Sequence, residues 1–368
     1  MVMQEAFSGP ETAPRDYGVS QRLPFFWDDS RDDPSLNHYQ AVMDQMGSDA
    51  VVNGWAYTDY DEYGPEHFVN QATVRGLGVV GTEKANNLSV LAHFPAKKPM
   101  SQSLTIDLPV EQAIHTFAFV MSDGEQIGSV MGRMSNQSYG HFDQVNSYPI
   151  AWTVSPALYD YAGPVAQWLY DNASSDDLLI AAASGAGLRY PSQWGGATDW
   201  SEGAANAMAK MGLRIATVAD VSAGFDVDIL SPMLAEEQVD GIFFTAVQSD
   251  SQQTREILWH NDEPIIPTRR LGFSDEKTID EIENWVAELV KEGMVEDVTS
   301  DDGYTLVYVN TWSTRLADLE VLEAQLEKSE VGNFQVVRPD ILLDLVIAHV
   351  PHESVITTDT ADTADTGA

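Results

Sequence analysis

Acidic side chains follow directly after an apolar stretch at residues 116–121. Asp123 and Glu125 flank Gly124, and a glycine lets the backbone bend where the chain leaves a strand. Two neighbouring carboxyl groups can serve as acid and base, or acid and nucleophile, in the cleavage of a glycosidic bond. They can also bind a divalent cation, and Asp123 alone can cap a helix. The pattern predicts catalytic carboxylates here, with a metal role and a structural role left open.

Further polar and aromatic residues follow other apolar stretches. Asp220 and Asp250 are the reserve candidates for a second acid or base. Aromatic faces stack on sugar rings, and glycines allow a ligand to approach backbone N–H groups, although a single Trp fits a core position as well. We therefore expect a sugar to be bound by residues from several strand ends: Trp152, Ser155, Ser184, Gly185, Gly187, Arg189, Tyr190 and Trp312.

Other site chemistries have weaker support. Residues 184–191 contain neither the Gly-Lys-Ser/Thr ending of a phosphate loop nor the Gly-x-Ser-x-Gly of a hydrolase nucleophile elbow. The eight His residues are scattered, although His141 beside Asp143 could bind a metal or protonate a leaving group. No metal-ligand set is assigned and no cofactor is predicted, but a divalent cation is compatible with the carboxylates. The acidic residues between 59 and 66 form either a solvated loop or part of the site's mouth.

These residues need a scaffold that brings strand ends together. Apolar runs typical of buried strands recur about every 30 residues, at 116–121, 150–154, 178–183, 214–218, 241–247, 265–269, 306–310 and 334–337. Amphipathic helical stretches follow most of them, at 156–172, 202–211, 275–291 and 316–328, the third with Ser274 as a possible cap. This alternation predicts an α/β fold, a (β/α) barrel-like domain of seven or eight strands preceded by a small α/β domain. An open doubly wound sheet is the alternative, although the first strand is not followed by Gly-x-Gly-x-x-Gly.

Composition shifts divide the chain into four parts. Residues 1–45 are expected to be an irregular arm, and residues 46–110 a small, β-rich α/β domain with strand-like runs at 50–57, 77–81 and 88–92. Residues 111–351 contain the βα repeats. The Asp/Thr-rich tail at 352–368 is of low complexity and is expected to be disordered.

The charge and the missing cysteines exclude several classes of protein. With 19 Lys and Arg against 57 Asp and Glu, the net charge is −38. Such a field repels nucleic acid and anionic membranes, and it is typical of an acidic, halophilic protein whose stability increases with salt.

The absence of cysteine excludes disulfides and thiolate catalysis. No apolar run is long enough to span a membrane and no leader is evident, so we expect either a cytoplasmic protein or a secreted or surface protein whose leader is missing from this chain.

Several segments resemble one known family. Residues 184–192 resemble the signature segment of the GxGYxYP putative glycoside hydrolase family, with Leu188 where the first Tyr is usual. Residues 121–126 resemble its Met-Ser-Asp-Gly-Asp-Asn segment, with Glu125 and Gln126 each one methylene longer. Further similar segments occur in order, at 53–55, 87–89, 152–158, 311–313 and 337–340. The resemblance implies a barrel-like C-terminal domain, carbohydrate processing, and a longer N-terminal region in other family members.

The leading hypothesis is a glycoside hydrolase acting on a poly- or oligosaccharide through strand-end carboxylates. A non-catalytic carbohydrate-binding surface protein is the alternative, for which the acidic tail would serve as a stalk. A metal-dependent sugar deacetylase using Asp123 and His141 is the third hypothesis, and the wide spacing of the His residues disfavours it.

Overall fold

The computed structural model describes residues 3–8, 14–26, 40–55, 65–102, 112–134, 148–221, 227–247, 256–271, 279–292, 294–329 and 332–352. These residues form a large barrel and a smaller sheet that packs on one end of it. The predicted helix cap Ser274 and the tail beyond residue 352 lie outside the described residues.

Seven parallel strands form a closed barrel. In chain order they are β5 (His115–Met121), β6 (Ile150–Val154), β7 (Asp177–Ala181), β8 (Ile215–Asp220), β9 (Gly241–Ala246), β11 (Glu263–Leu271) and β12 (Tyr304–Val309). The ring closes because β11 pairs with β9 on one side and with β12 on the other, while β12 pairs with β5. Closure confirms the predicted barrel and rules out the open sheet that was its alternative.

Two short strands complete the large sheet. The strand β10 (Leu258–His260) forms an antiparallel hairpin with β11. The strand β13 (Phe334–Val336) pairs with the first half of β5, whereas β6 pairs with its end. The predicted eighth strand therefore exists but does not enter the ring.

Helices surround the barrel and connect its strands. The described helices are α1 (Arg15–Gln21), α2 (Pro65–Thr73), α3 (Leu88–Leu91), α4 (Ile127–Ser129), α5 (Leu158–Asn172), α6 (Ala197–Met211), α7 (Val227–Leu234), α8 (Ile279–Glu292), α9 (Leu316–Lys328) and α10 (Pro339–His349). A π-helical turn, Val130–Met134, continues α4, and 3-10 turns occupy Pro191–Gln193 and Asp301–Gly303. The run at 88–92, expected to be strand-like, begins with α3 instead.

Alternate residues of each strand point to opposite sides of the barrel wall. Phe117 and Phe119 pack outwards in a cluster shared with the helices, and Ala118, Val120 and Phe243 pack inside the barrel. Both faces of the barrel wall are apolar, and the strands therefore appear in the sequence as continuous apolar runs rather than as alternating apolar and polar residues. Burial of both faces supplies most of the driving force for forming the barrel.

The last helix closes the amino end of the barrel. Leu342 and Val346 of α10 belong to the interior cluster, and the Leu343 side chain reaches Gly241 at the start of β9. At the start of this helix, Arg338 and Asp340 form a buried ion pair with two nitrogen–oxygen distances of 2.7 Å. The opposite, carboxyl end is therefore where a site can open.

A second sheet covers part of that carboxyl end. Its four parallel strands, in spatial order, are β2 (Phe25–Phe26), β1 (Met3–Ser8), β3 (Met46–Asn53) and β4 (Gly78–Val80). The arm expected to be irregular thus contributes β1, and the small α/β unit begins earlier in the chain than residue 46. Val79 of β4 exchanges two backbone hydrogen bonds with Leu188, which joins this sheet to the barrel.

Candidate active site

A cavity of about 510 Å³ lies where the small sheet meets the carboxyl ends of the barrel strands. Its wall includes residues that follow or end β5, β7, β8, β9, β11 and β12, together with residues of the small unit. The lining comprises Trp55, Glu66, Val69, Ser122, Asp123, Glu125, Gln126, Ala183, Leu188, Tyr190, Ala219, Thr245, Val247, Leu271, Tyr308, Asn310 and Trp312. Four of the residues predicted from the sequence, Asp123, Glu125, Tyr190 and Trp312, thus meet in one cavity.

The turn after β5 is held in place by the two neighbouring strands. Asp123 has a φ of 67°, in the left-handed region, so the chain reverses direction at the carboxylate. The Gly124 N–H donates to Thr153 Oγ1 at 3.0 Å, and the Gly124 carbonyl accepts from the Ser155 N–H at 2.8 Å. On the other side, Thr311 Oγ1 donates to Asp123 Oδ2 at 2.9 Å. The Asp123 carboxylate is therefore fixed in direction rather than free to rotate.

The Glu125 carboxyl group lies in a different environment. The side chain is half-buried, and its buried Oε2 atom has no hydrogen-bond partner among the described residues. Burial, and secondly the charge of nearby Asp123, raises the pKa of Glu125 well above its usual range. A carboxyl group in this environment carries its proton at a pH where an ordinary Glu is ionised, so Glu125 can donate a proton to a substrate.

A second buried acid supports the wall from behind. Burial raises the pKa of Glu83 to about 7, against a smaller opposing effect of the hydrogen bond from the Trp55 N–H. Gly81, two residues before Glu83, donates its N–H to the Glu125 carbonyl at 3.3 Å. The small unit thus touches the backbone of the acidic turn and also presents Trp55 to the cavity.

Two aromatic residues predicted to bind sugar lie in the wall. Tyr190 is almost fully buried, and its N–H donates to Thr73 Oγ1 of α2 at 3.1 Å. Trp312 is 47% exposed and lines the cavity. A partly exposed aromatic ring in the same cavity as carboxylates can stack on a sugar ring.

The segment from Ser184 to Arg189 packs partly on the barrel and partly on the small sheet, and of these residues only Leu188 lines the cavity. Ser184 Oγ donates to the Arg189 carbonyl at 2.6 Å, and a Cβ atom on Gly185 would lie 2.5 Å from Ala204 Cβ of α6. Gly187 faces Gly78 of β4, where a Cβ atom would lie 3.2 Å from the Gly78 Cα. The Arg189 guanidinium lies over the Trp194 ring at 5.4 Å and also packs against Gly78.

Three more predicted residues lie close to the site without lining the cavity. Trp152 points outwards, where its Nε1 donates to Asp177 Oδ1 at 2.7 Å. Ser155 holds the acidic turn through its backbone N–H. Asp220 accepts from the N–H and the hydroxyl of Ser192, at 2.8 and 2.5 Å, and so fixes the loop that carries Tyr190. Asp250, like His141, lies outside the described residues.

Several cavity residues were not predicted. Thr245 lies in β9, Tyr308 in β12, and Asn310 directly after β12. Their place at the ends of predicted strands was the available signal. Trp55 comes from the small unit, and only its presence in a segment similar to the family pointed to it. Glu66 belongs to the acidic stretch for which a place at the mouth had been an open alternative.

The described residues contain no group of three or more His, Cys, Asp or Glu side chains arranged to hold a metal ion. In the same part of the chain, no helix is both long enough and apolar enough to cross a membrane. Asp123 and Glu125 are the two lining carboxylates nearest each other in the chain, and a cation bound there would need further ligands from elsewhere.

Comparisons with known proteins bear on the fold and the family of the chain. The structure matches the crystal structure of a putative hydrolase from Bacteroides thetaiotaomicron with a TM-score of 0.82 and 24% sequence identity, over 96% of this chain and 68% of that one. At this identity the match establishes the fold alone. No curated protein matches the chain. Models of the GxGYxYP putative glycoside hydrolase C-terminal domain and the GxGYxYP third domain match residues 113–347 and 2–93. Since the first match alone spans more than half of the sequence, the chain belongs to the GxGYxYP putative glycoside hydrolase family.

Proposed function

We propose that this protein hydrolyses glycosidic bonds of a poly- or oligosaccharide, with Asp123 and Glu125 as its catalytic residues. The observation that carries the proposal is the pairing of these two carboxyl groups on one turn in the cavity. Glu125 is kept protonated by burial and by its neighbour, whereas Asp123 is anchored by a hydroxyl donor. The family's description as glycoside hydrolases supports the same reaction class.

In this mechanism Glu125 donates its proton to the oxygen that links the two sugars. The bond from this oxygen to the anomeric carbon breaks, and Asp123 assists the developing positive charge on the sugar ring. Asp123 then either activates a water molecule or attacks the anomeric carbon itself, which gives inversion or retention respectively. In retention, water then cleaves the bond between the sugar and Asp123 and gives its proton to Glu125. In inversion, the water gives its proton to Asp123, and exchange with solvent restores the proton on Glu125 before the next turnover.

The wall supplies contacts for a sugar. The partly exposed ring of Trp312 can stack on the sugar, and the buried Tyr190 forms another part of the cavity wall. Asp220 acts indirectly in this proposal, by fixing the loop of Tyr190 through Ser192. Ser155 likewise contributes by holding the turn that carries both carboxyl groups.

A non-catalytic sugar-binding protein is the second candidate. Leu188 lines the cavity at the position where the family motif has its first Tyr, so this wall offers an apolar contact instead of a phenol hydroxyl. A cavity that retained its aromatic rim but lacked a hydroxyl needed for the reaction would bind sugar without cleaving it.

The decisive experiment measures reducing-sugar release from a panel of polysaccharides at low and at molar salt, because the acidic composition predicts better folding in salt. Wild type, Asp123→Asn and Glu125→Gln are compared with Glu202→Gln, which removes one carboxylate from the exposed surface of α6. We expect both site variants to lose at least about 100-fold in rate while remaining folded, and the control to keep full activity. Sugar binding without release by wild type would instead favour the second candidate.

A further inference from the structure

The turn that follows β12 packs against the acidic turn that follows β5. The Ser122 N–H donates to the Val309 carbonyl at 2.9 Å, and the Thr311 N–H donates to Ser122 Oγ at 3.4 Å. Thr311 is only 5% exposed, and its hydroxyl donates to Asp123 Oδ2 at 2.9 Å. Backbone and side-chain bonds therefore join the two turns and hold the Thr311 hydroxyl against the carboxylate.

The turn after β12 is also fixed by bonds that do not involve Asp123. The Asn310 N–H donates to the Leu271 carbonyl at 2.8 Å, and the Asn310 carbonyl accepts from the Thr314 N–H at 3.0 Å. Asn310 Oδ1 accepts from the Trp312 N–H at 2.9 Å. The barrel thus sets the position of the Thr311 hydroxyl, and the carboxylate has to orient towards it.

This hydroxyl makes the two carboxyl groups of the cavity unequal. A hydrogen bond donated to a carboxylate favours its ionised form, whereas burial favours the protonated form. Asp123 Oδ2 accepts such a bond from Thr311, while the buried Oε2 of Glu125 has no partner among the described residues. The charge of Asp123 in turn contributes to raising the pKa of Glu125. The donor is therefore placed on the carboxyl group that the proposed reaction needs in its ionised form.

The other titratable groups near the pair do not supply this asymmetry. Glu66 lines the cavity from α2, and Glu83 lies behind the wall with a pKa raised to about 7. Tyr190 and Tyr308 contribute phenol groups to the lining, and none of the described lining residues is a Lys, Arg or His. A further carboxylate opposes ionisation of Asp123, so the charge on Asp123 depends on hydrogen-bond donors rather than on a described basic side chain of the lining.

We propose that Thr311 is a positioning residue for the reaction, whose hydroxyl orients the Asp123 carboxylate and keeps it ionised, so that the proton of the pair stays on Glu125. The inference rests on the proposed function. Thr311 is not among the described lining residues, so it acts through Asp123 and not on the sugar. The different roles of the two carboxyl groups are then set by a neighbouring strand end as well as by the acidic turn itself.

The test uses three variants of the turn after β12. Thr311→Val removes the hydroxyl and keeps the shape of the side chain, and Thr311→Ser keeps the hydroxyl. Thr314→Val is the matched control, because Thr314 lies in the same turn, is 1% exposed and has a hydroxyl with no partner among the described residues. For each protein, kcat, KM and the pH profile of kcat/KM are measured in molar salt on a polysaccharide that wild type cleaves.

We expect Thr311→Val to lower kcat roughly 10-fold with KM little changed, because the lost bond acts on a reacting group and not on sugar binding. The acidic limb of its pH profile should move up by about 1 pH unit, since a carboxylate that loses a donor takes up a proton at higher pH. The alkaline limb, which reports loss of the proton from Glu125, should stay in place.

Thr311→Ser should restore the rate and the acidic limb, and Thr314→Val should match wild type. A purely structural role of Thr311 would lower the rate without moving one limb alone. An acidic limb that does not move in Thr311→Val, a failure of Thr311→Ser to restore it, or the same movement in Thr314→Val would overturn the proposal.

Urea unfolding in molar salt tests the same contact without any substrate. Thr311→Val is introduced into wild type and into Asp123→Gly, because glycine adopts the φ of 67° at this position without strain. In wild type, the variant should lower the free energy of unfolding more at pH 7 than at pH 4, since the lost donor favours the ionised carboxylate. In Asp123→Gly this pH dependence should be absent. Equal losses at both pH values in both backgrounds would overturn the proposal. If wild type cleaves no polysaccharide, the proposed hydrolysis fails, and the unfolding data alone decide whether Thr311 favours the charge on Asp123.

Discussion

Gly124 is the position where one added methyl group should disrupt the site most strongly. A Cβ atom there would lie 1.7 Å from the Thr153 carbonyl oxygen and 2.1 Å from its carbon. Ordinary contact begins at 3.4 Å, so the turn would have to move away from β6 by nearly 2 Å. That movement breaks the bonds from Gly124 N–H to Thr153 and from Ser155 N–H to Gly124, worth about 1 kcal/mol each. With about 1–3 kcal/mol for overpacking, Gly124→Ala should lose about 3–5 kcal/mol of unfolding free energy.

The functional loss should be larger than the stability loss suggests, because Asp123 and Glu125 flank the displaced glycine. A shift of about 1 Å in a catalytic group can cost about 100-fold in rate. Urea unfolding and sugar release, both at 10 °C where the variant remains folded, measure the two effects separately. Gly203→Ala is the matched control, because a Cβ on Gly203 meets nothing within 4 Å and alanine favours the exposed helix α6. A Gly124→Ala protein within 1 kcal/mol of wild type and of normal activity would refute the contact described here.

Two further outcomes follow from buried charged groups. Burial raises the pKa of Glu83 to about 7. The native state therefore keeps a proton that the unfolded chain releases from about pH 4.5 upwards. From this residue alone, the free energy of unfolding of the wild type should fall by about 3 kcal/mol between pH 4.5 and 8. Glu83→Gln should remove that part of the slope in urea titrations, whereas Glu202→Gln should leave it intact, and identical slopes for all three proteins would contradict the assignment. Asp340→Asn should cost about 3–5 kcal/mol because it removes the negative charge that neutralises the buried Arg338, while Asp160→Asn, at the exposed pair with Lys210, should cost at most about 1 kcal/mol. Similar losses in the two variants would show that burial does not control the strength of these pairs.

The barrel was predictable because its strands are buried on both faces. Residues 116–121 and 241–247 are apolar apart from one threonine each, and the regular spacing of such runs along the chain is typical of βα repeats. Closure into a ring was not encoded in any local pattern, since it depends on the pairing of β11 with β9. The strand β1 was missed because its residues lack an apolar run, and it exists through pairing with β3.

The site was only partly predictable, for a related reason. The sequence shows which residues follow a predicted strand, and this was enough to predict that Asp123, Glu125 and Trp312 lie near the cavity. The direction of a side chain depends on the phase of the strand relative to the barrel axis. Trp152 illustrates this, because the phase of β6 turns it outwards towards Asp177. Trp55 could not be placed by any property of the barrel sequence, since a separate sheet brings it to the wall.

The two glycines of the 184–192 segment have different packing partners. Gly185 has a φ of 85° and lies against Ala204 of the barrel helix α6, whereas Gly187 lies against Gly78 of the small sheet, so a side chain at Gly187 would push the two units apart. The same segment pairs Leu188 with Val79 and places Tyr190 in the cavity. Gly187 therefore serves the site through packing: it allows the small unit to approach closely enough for Trp55 to reach the wall and for Gly81 to contact the Glu125 backbone. The family motif, interpreted in this way, marks a junction between two units on which the geometry of the carboxylate pair depends.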